Sequence, residues 1–151
     1  VGPIGAIVAF GHPSRPPGSA RADDSLKSRW IGGAAAPYGA GVPVPELTAT
    51  QLRAMLAGGE RPLLLDVRSH GEHLTVALPG SMLVPLPELA ERMDEVREEG
   101  GGRGVVAYCH HGVRSRSAAA LLLSSGFSAV WSLRGGIDAW AVQVEPGMPR
   151  Y

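Results

Sequence analysis

Short, continuously apolar runs alternate with helix signals from residue 46 onward, and this alternation constrains the fold more than any other feature of the chain. An apolar run of four or five residues with no polar alternation needs cover on both faces, as in a parallel strand between helices. Leu63–Val67 is one such run, and it contains Asp66 and leads into Arg68. Val105-Val106-Ala107-Tyr108 is a second, Ala129–Leu133 a third, and Ser81–Val84 a shorter candidate closed by Pro85. Thr48 with Gln51 three residues on forms a capping box before Leu52, Met55 and Leu56, and Gly58-Gly59 stops that helix. Leu86, Leu89, Ala90, Met93 and Val96 predict one amphipathic helix, broken by Gly100–Gly104. Ser115–Ser125 predicts an Ala/Leu-rich helix ended by Gly126, and the turn Gly135-Gly136 leads to a last helix over Ile137–Val144. Strand–helix alternation with short connections predicts an α/β domain of three layers, a mainly parallel central sheet flanked by helices.

The composition changes near residue 45. Residues 1–45 hold eight glycines and seven prolines, without sustained helix or strand periodicity, and are expected to be a flexible leader before a domain at 46–151. The alternative is a partner-docking segment using Trp30 and Tyr38. The chain begins with Val1 and not Met, which fits a fragment, a processed product or a non-standard start. Its first ten residues are apolar but lack a cationic lead-in and contain Gly2, Pro3 and Gly5, so they make a poor signal peptide. No apolar run reaches the roughly 18–20 residues that span a bilayer. Fourteen Lys+Arg balance fourteen Asp+Glu, leaving no global field to recruit nucleic acid or an anionic membrane. Cys109 is the single cysteine, which excludes an internal disulfide framework and any zinc site built on several thiolates, and points to a reducing, cytoplasmic setting.

Ligands in an open parallel sheet bind beyond the carboxyl ends of the strands. Cys109 stands one residue past such a strand, and the loop after it reads His110-His111-Gly112-Val113-Arg114 before Ser115 and a helix. A strand–loop–helix crossing of this kind turns successive backbone N–H groups inward and sets the helix's positive end beneath the cysteine. A lone cysteine is ordinarily a small buried hydrophobe. Here two histidines, a glycine and an arginine follow where apolar residues would suffice, so the cradle suits an anion: a thiolate, a persulfide or a bound oxyanion. Gly112 permits the backbone angles that curl the loop, and Arg114 adds a permanent cation. Ser115 caps the helix or hydrogen-bonds the sulfur.

The loop Cys109-His110-His111-Gly112-Val113-Arg114-Ser115 resembles the active-site loop of rhodanese-like sulfurtransferases. Other motifs agree in register. Leu65-Asp66-Val67-Arg68 resembles the family's Asp-Val-Arg strand end, with Glu72 at its following acidic position. Leu78-Pro79-Gly80-Ser81 resembles the Pro-Gly-Ala turn. Arg134-Gly135-Gly136-Ile137-Asp138-Ala139-Trp140 resembles the closing Gly-Gly-Ile signature, and the tail Glu145–Tyr151 resembles the end of small single-domain bacterial members. One departure is Val76-Ala77, where many members carry Gly-His. The likeness covers residues 46–151.

The resemblance implies sulfur transfer: Cys109 would take sulfane sulfur from a small donor such as thiosulfate, held as a persulfide by the amides of His110–Arg114. With no second cysteine the acceptor is external, cyanide in an assay or glutathione, thioredoxin or a protein thiol in the cell. Neither metal nor cofactor is implied. Asp66 and Arg68 are expected to organise the loops behind the site, with Arg68 alternatively facing the donor anion, and Glu72 is expected to pair with Arg68. The rings of His110 and His111 are candidates for steering an anion. The alternative within the resemblance is a sulfur-relay or binding module of a larger assembly. A phosphatase or arsenate reductase of related fold is disfavoured, because a phosphate cradle needs five residues between cysteine and arginine and only four separate Cys109 from Arg114. A Cys-His protease would need His73 to reach across the fold, and His70 with His73 lack a third metal ligand.

Overall fold

The computed structural model describes residues 43–151. The expected leader therefore lies outside the described residues except for its last three, as do Trp30 and Tyr38.

The chain runs β1 (Glu46–Leu47), α1 (Ala49–Ala57), β2 (Leu63–Asp66), α2 (His70–Thr75), β3 (Met82–Leu83), a 3-10 turn (Leu86–Glu88), α3 (Met93–Gly100), β4 (Val105–Tyr108), α4 (Val113–Ser124), β5 (Val130–Leu133) and α5 (Gly136–Gln143). The strands form a five-stranded sheet in the order β1-β5-β4-β2-β3, and every neighbouring pair is parallel. The expected α/β architecture is present, with helices on both faces.

Strand periodicity sorts the core. Leu63, Leu65, Val105, Ala107 and Cys109 face one way, against Ala118, Leu122, Leu89 and Val96. Leu64, Val106 and Tyr108 face the other, against Leu52, Ile137 and Trp140. Each fully buried Leu or Val side chain contributes about 1.5–3 kcal/mol of transfer free energy. Trp140 is a packing residue whose indole N–H donates to Glu145 at 3.2 Å.

Two sequence expectations need correction. The amphipathic pattern from Leu86 to Val96 is not one helix: a 3-10 turn and an irregular stretch precede α3. Leu86 is held to the edge of β2 by its N–H donating to Val67 at 3.0 Å, so the chain must turn again before α3 can lie on the sheet. The apolar face is nevertheless the buried one, since Leu89 and Val96 are fully enclosed in the same cluster. The helix expected from Ser115 begins at Val113, with Gly112 as its N-cap, which puts Arg114 in the first turn of α4. Two elements had no sequence expectation, β1 and α2. α2 opens with a capping box between Ser69 and Glu72. No helix among the described residues is long and apolar enough to cross a membrane.

Candidate active site

The parallel register puts Asp66, the last residue of β2, beside Tyr108, the last of β4. Cys109 follows at the carboxyl edge of the sheet and is 1% exposed. The amide N–H of Gly112 donates to its Sγ at 3.1 Å and that of Ser115 at 3.4 Å. The thiol in turn points at the Ser115 hydroxyl, 3.5 Å away, and that hydroxyl is 2.8 Å from the hydroxyl of Ser132 on β5. Ser115 and Ser132 are both fully buried. Of the two roles expected for Ser115, it takes the contact with sulfur, because Gly112 occupies the cap position.

Glycine is required twice to shape this loop. Gly112 has φ 102°, left-handed backbone that curls the chain into α4, and a Cβ there would lie 3.1 Å from the nitrogen of Gly135. Gly136 brings the start of α5 against the loop from behind. A Cβ on it would overlap the carbonyl oxygens of Cys109 and His110. Those carbonyls accept from the N–H groups of Ile137 at 2.9 Å and Asp138 at 3.2 Å. The Gly-Gly-Ile sequence thus fixes the outer wall of the loop, and the first turn of α4 supplies its floor. The Gly112 and Ser115 amides and the positive end of α4 all face the sulfur, an arrangement that suits negative charge on or next to it.

Behind the loop, Asp66 and Arg68 form a closed pair, both fully buried. Arg68 donates to Asp66 from Nε at 2.9 Å and from Nη2 at 2.6 Å, and its backbone N–H adds a bond of 3.0 Å. His73 Nδ1, 2.8 Å away, and the Tyr108 hydroxyl, at 3.0 Å, complete the shell of Asp66. Burial pushes the Asp66 carboxyl upward, but the Arg68 and His73 hydrogen bonds and the Arg68 charge outweigh it and hold it below the usual carboxylate range. Burial, with the Asp66 charge beside it, pushes the Tyr108 phenol up to about 12. Tyr108 also accepts from the Leu78 N–H at 3.1 Å and lies 2.9 Å from the Ser81 hydroxyl, tying the turn before β3 to the site.

The expected pairing of Glu72 with Arg68 is wrong. Glu72, in the first turn of α2, receives two bonds of 2.8 Å from the guanidinium of Arg114. Alternation along an extended chain turns Arg68 back toward Asp66, two residues earlier, while α2 carries Glu72 to the surface facing α4. The Arg114 hydrogen bonds, stronger than the opposing effect of burial, hold the Glu72 carboxyl well below its ordinary range. Arg114 therefore reaches the loop as half of an ion pair and not as a free cation.

His110 and His111 stack on each other with centroids 3.8 Å apart. Burial, and then the neighbouring His111, hold the His110 imidazole below its usual value. The ring of Tyr151 lies on the other side of His110 at 4.0 Å. Val113 is largely exposed beside the loop. His70 is exposed, 4.0 Å from Glu88. Sequence reasoning missed Tyr108, Ser132 and Tyr151. Only the capping box Ser69-x-x-Glu72 carried a local signal, and it would have located α2.

Comparisons with known proteins follow the same lines. The profile of the rhodanese-like domain family matches residues 48–143. A sulfurtransferase of Allochromatium vinosum is 38% identical over 98 residues, covering 65% of this chain and 89% of that protein. The adenylyltransferase and sulfurtransferase MOCS3 of Arabidopsis thaliana is 31% identical over 118 residues, covering 70% of this chain; the chain spans only 25% of that longer protein. Among solved structures, a thiosulfate sulfurtransferase from Pseudomonas aeruginosa superposes with a TM-score of 0.61 at 28% identity, covering 71% of this chain and 20% of that one.

Proposed function

The chain belongs to the rhodanese-like domain family, and from that premise we propose that it transfers sulfane sulfur as a persulfide on Cys109. The observation that carries the reading is the convergence of the Gly112 and Ser115 amides on one buried sulfur at the end of β4. Fixed N–H dipoles stabilise charge there without reorganising, both on a thiolate and on the outer sulfur of a persulfide. The Cys109 thiolate attacks the outer sulfur of a donor such as thiosulfate. A new S–S bond forms, the donor's own S–S bond breaks, and its electron pair leaves with sulfite. An acceptor nucleophile then attacks the outer sulfur and the electron pair returns to Cys109. Cyanide leaves as thiocyanate, whereas a thiol leaves as a persulfide.

Cys109 is the only cysteine of the sequence, so the acceptor in this scheme is external: glutathione, thioredoxin or another protein's thiol. Gly112 and Ser115 hold the sulfur, and the amides of His110, His111, Val113 and Arg114 complete the loop that receives the second sulfur. Asp66, Arg68 and Glu72 act from behind, fixing the loop and α4. A cytoplasmic setting suits a thiol that must stay reduced.

Steady-state thiocyanate production from thiosulfate and cyanide tests the proposal. Parallel double-reciprocal lines, the signature of a substituted-enzyme cycle, are expected, with no turnover in a folded Cys109→Ala variant. Intersecting lines, or turnover in that variant, would contradict it. A second reading rests on the relation to MOCS3, of which the chain spans a quarter: a sulfur-relay module of a larger protein. The mass of the endogenous protein separates the two, since a relay module would be found joined to further domains.

A further inference from the structure

Resting on the assignment of Cys109 as the reacting thiol, we propose that the segment Glu145–Tyr151 is a strap across the thiol loop and that Tyr151 latches it, so that donors and acceptors reach the sulfur only when the phenol lifts. Cys109 is 1% exposed, so something must move before a second sulfur can approach it. The segment after α5 is placed to do so. Its backbone hydrogen bonds run to Trp140 and within itself, and Met148 packs on the core while Pro146, Gly147, Pro149 and Arg150 are exposed.

Side-chain contacts to four residues hold it over the loop. The Tyr151 hydroxyl accepts from Arg68 Nη1 at 2.8 Å and donates to Glu72 Oε1 at 2.9 Å. Its ring lies on His110, with centroids 4.0 Å apart and 16° between the planes. Arg150 grips Asp138 through bonds of 2.7 and 3.2 Å. Tyr151 thus touches the start of the loop directly, at His110, and its end indirectly, because the Glu72 it binds also holds Arg114. Pro149, Arg150 and Tyr151 close against His110, Ile137 and Asp138, leaving a crevice too narrow for water.

Contacts of this kind, made by side chains at a partly exposed surface, are individually weak and open well before the core does. Lifting the phenol also frees the Arg68 Nη1–H, a donor suited to the oxyanion end of a sulfur donor. Tyr151 is a positioning and access residue and takes no part in bond-making.

Because the sequence has a single cysteine, alkylation reads access to this one sulfur. Under native conditions Tyr151→Ala is expected to react with iodoacetamide about tenfold faster than the unaltered protein, the scale set by losing one or two charge-assisted hydrogen bonds, and Arg150→Ala about two- to fivefold faster, the scale of one exposed ion pair. Tyr151→Phe, which keeps the stack and loses both bonds, should fall between. A bulky maleimide should gain by about the same factor as iodoacetamide, because both reach the sulfur only through the same opening, whereas a small reagent that entered beneath a closed strap would gain less than the bulky one. Unchanged rates in these variants, or a gain confined to one of the two reagents, would overturn the strap. Arg150→Ala carries the test should Tyr151→Ala fail to fold. Alkylation needs no sulfur donor, so its outcome stands apart from that of the sulfur-transfer assay.

Discussion

Replacing Asp66 with Asn leaves a fully buried guanidinium without its counter-charge. Arg68 would keep its bonds to the Val76 carbonyl, 2.7 Å away, and to the Tyr151 hydroxyl, but the compensating charge would be gone. Breaking a buried ion pair from one side costs about 3–5 kcal/mol, most of it the penalty of the stranded charge. A domain of this size has about 5–15 kcal/mol in hand. With a urea slope of about 1.5 kcal/mol/M, the unfolding midpoint should fall by about 2–3 M at unchanged slope. Glu95→Gln, which touches only the exposed pair with Arg92, should leave the midpoint essentially in place. The double variant Asp66→Leu/Arg68→Met should recover most of the loss, since an apolar pair can fill the same space without desolvating charge. The effect also has a pH signature. The Asp66 carboxyl is held below its unfolded value, so its contribution is complete above about pH 4 and is lost as the pH falls below that. The acid limb of the stability profile should therefore flatten in Asp66→Asn. A midpoint shift no larger than that of Glu95→Gln, or a double variant as unstable as the single one, would refute the reasoning.

Gly136→Ala, which sets a Cβ into the Cys109 and His110 carbonyls at a left-handed φ of 62°, should lower the melting temperature and also the kcat of the fraction that stays folded, checked by thermal unfolding beside turnover. Ser115→Ala removes the hydroxyl facing the sulfur and leaves the buried Ser132 hydroxyl without its partner. A loss of about 1–3 kcal/mol in urea unfolding is expected, together with a lower rate of sulfur uptake. Leu122→Ala, in the core beneath Cys109, should cost about 2–5 kcal/mol while the folded fraction keeps its kcat.

The chemistry-bearing loop was legible because it is local: a cysteine closing an apolar strand, a polar loop with one glycine, then a helix. The main strands were legible because both faces are buried. β1 was not, since two residues carry no period and its pairing with Glu46↔Ser132 register depends on a partner far along the chain. The pairing of Arg68 with Asp66 was within reach, because residues two apart share a strand face. The bond between Glu72 and Arg114 was not: 42 residues separate them, and only the strand order brings α2 to the first turn of α4. Tyr108 meets Asp66 for the same reason, through the register of β2 and β4. Nothing in the tail sequence announces that Tyr151 bridges Arg68 and Glu72, since all three are placed by separate elements.

The most direct test of the central claim is the intact mass of the protein before and after incubation with thiosulfate, for the unaltered chain and for Cys109→Ala. The account predicts the gain of a single sulfur atom in the unaltered chain, removed by cyanide and absent from the variant. A folded, unaltered protein that gains no sulfur, or a variant that gains it equally, would contradict the account.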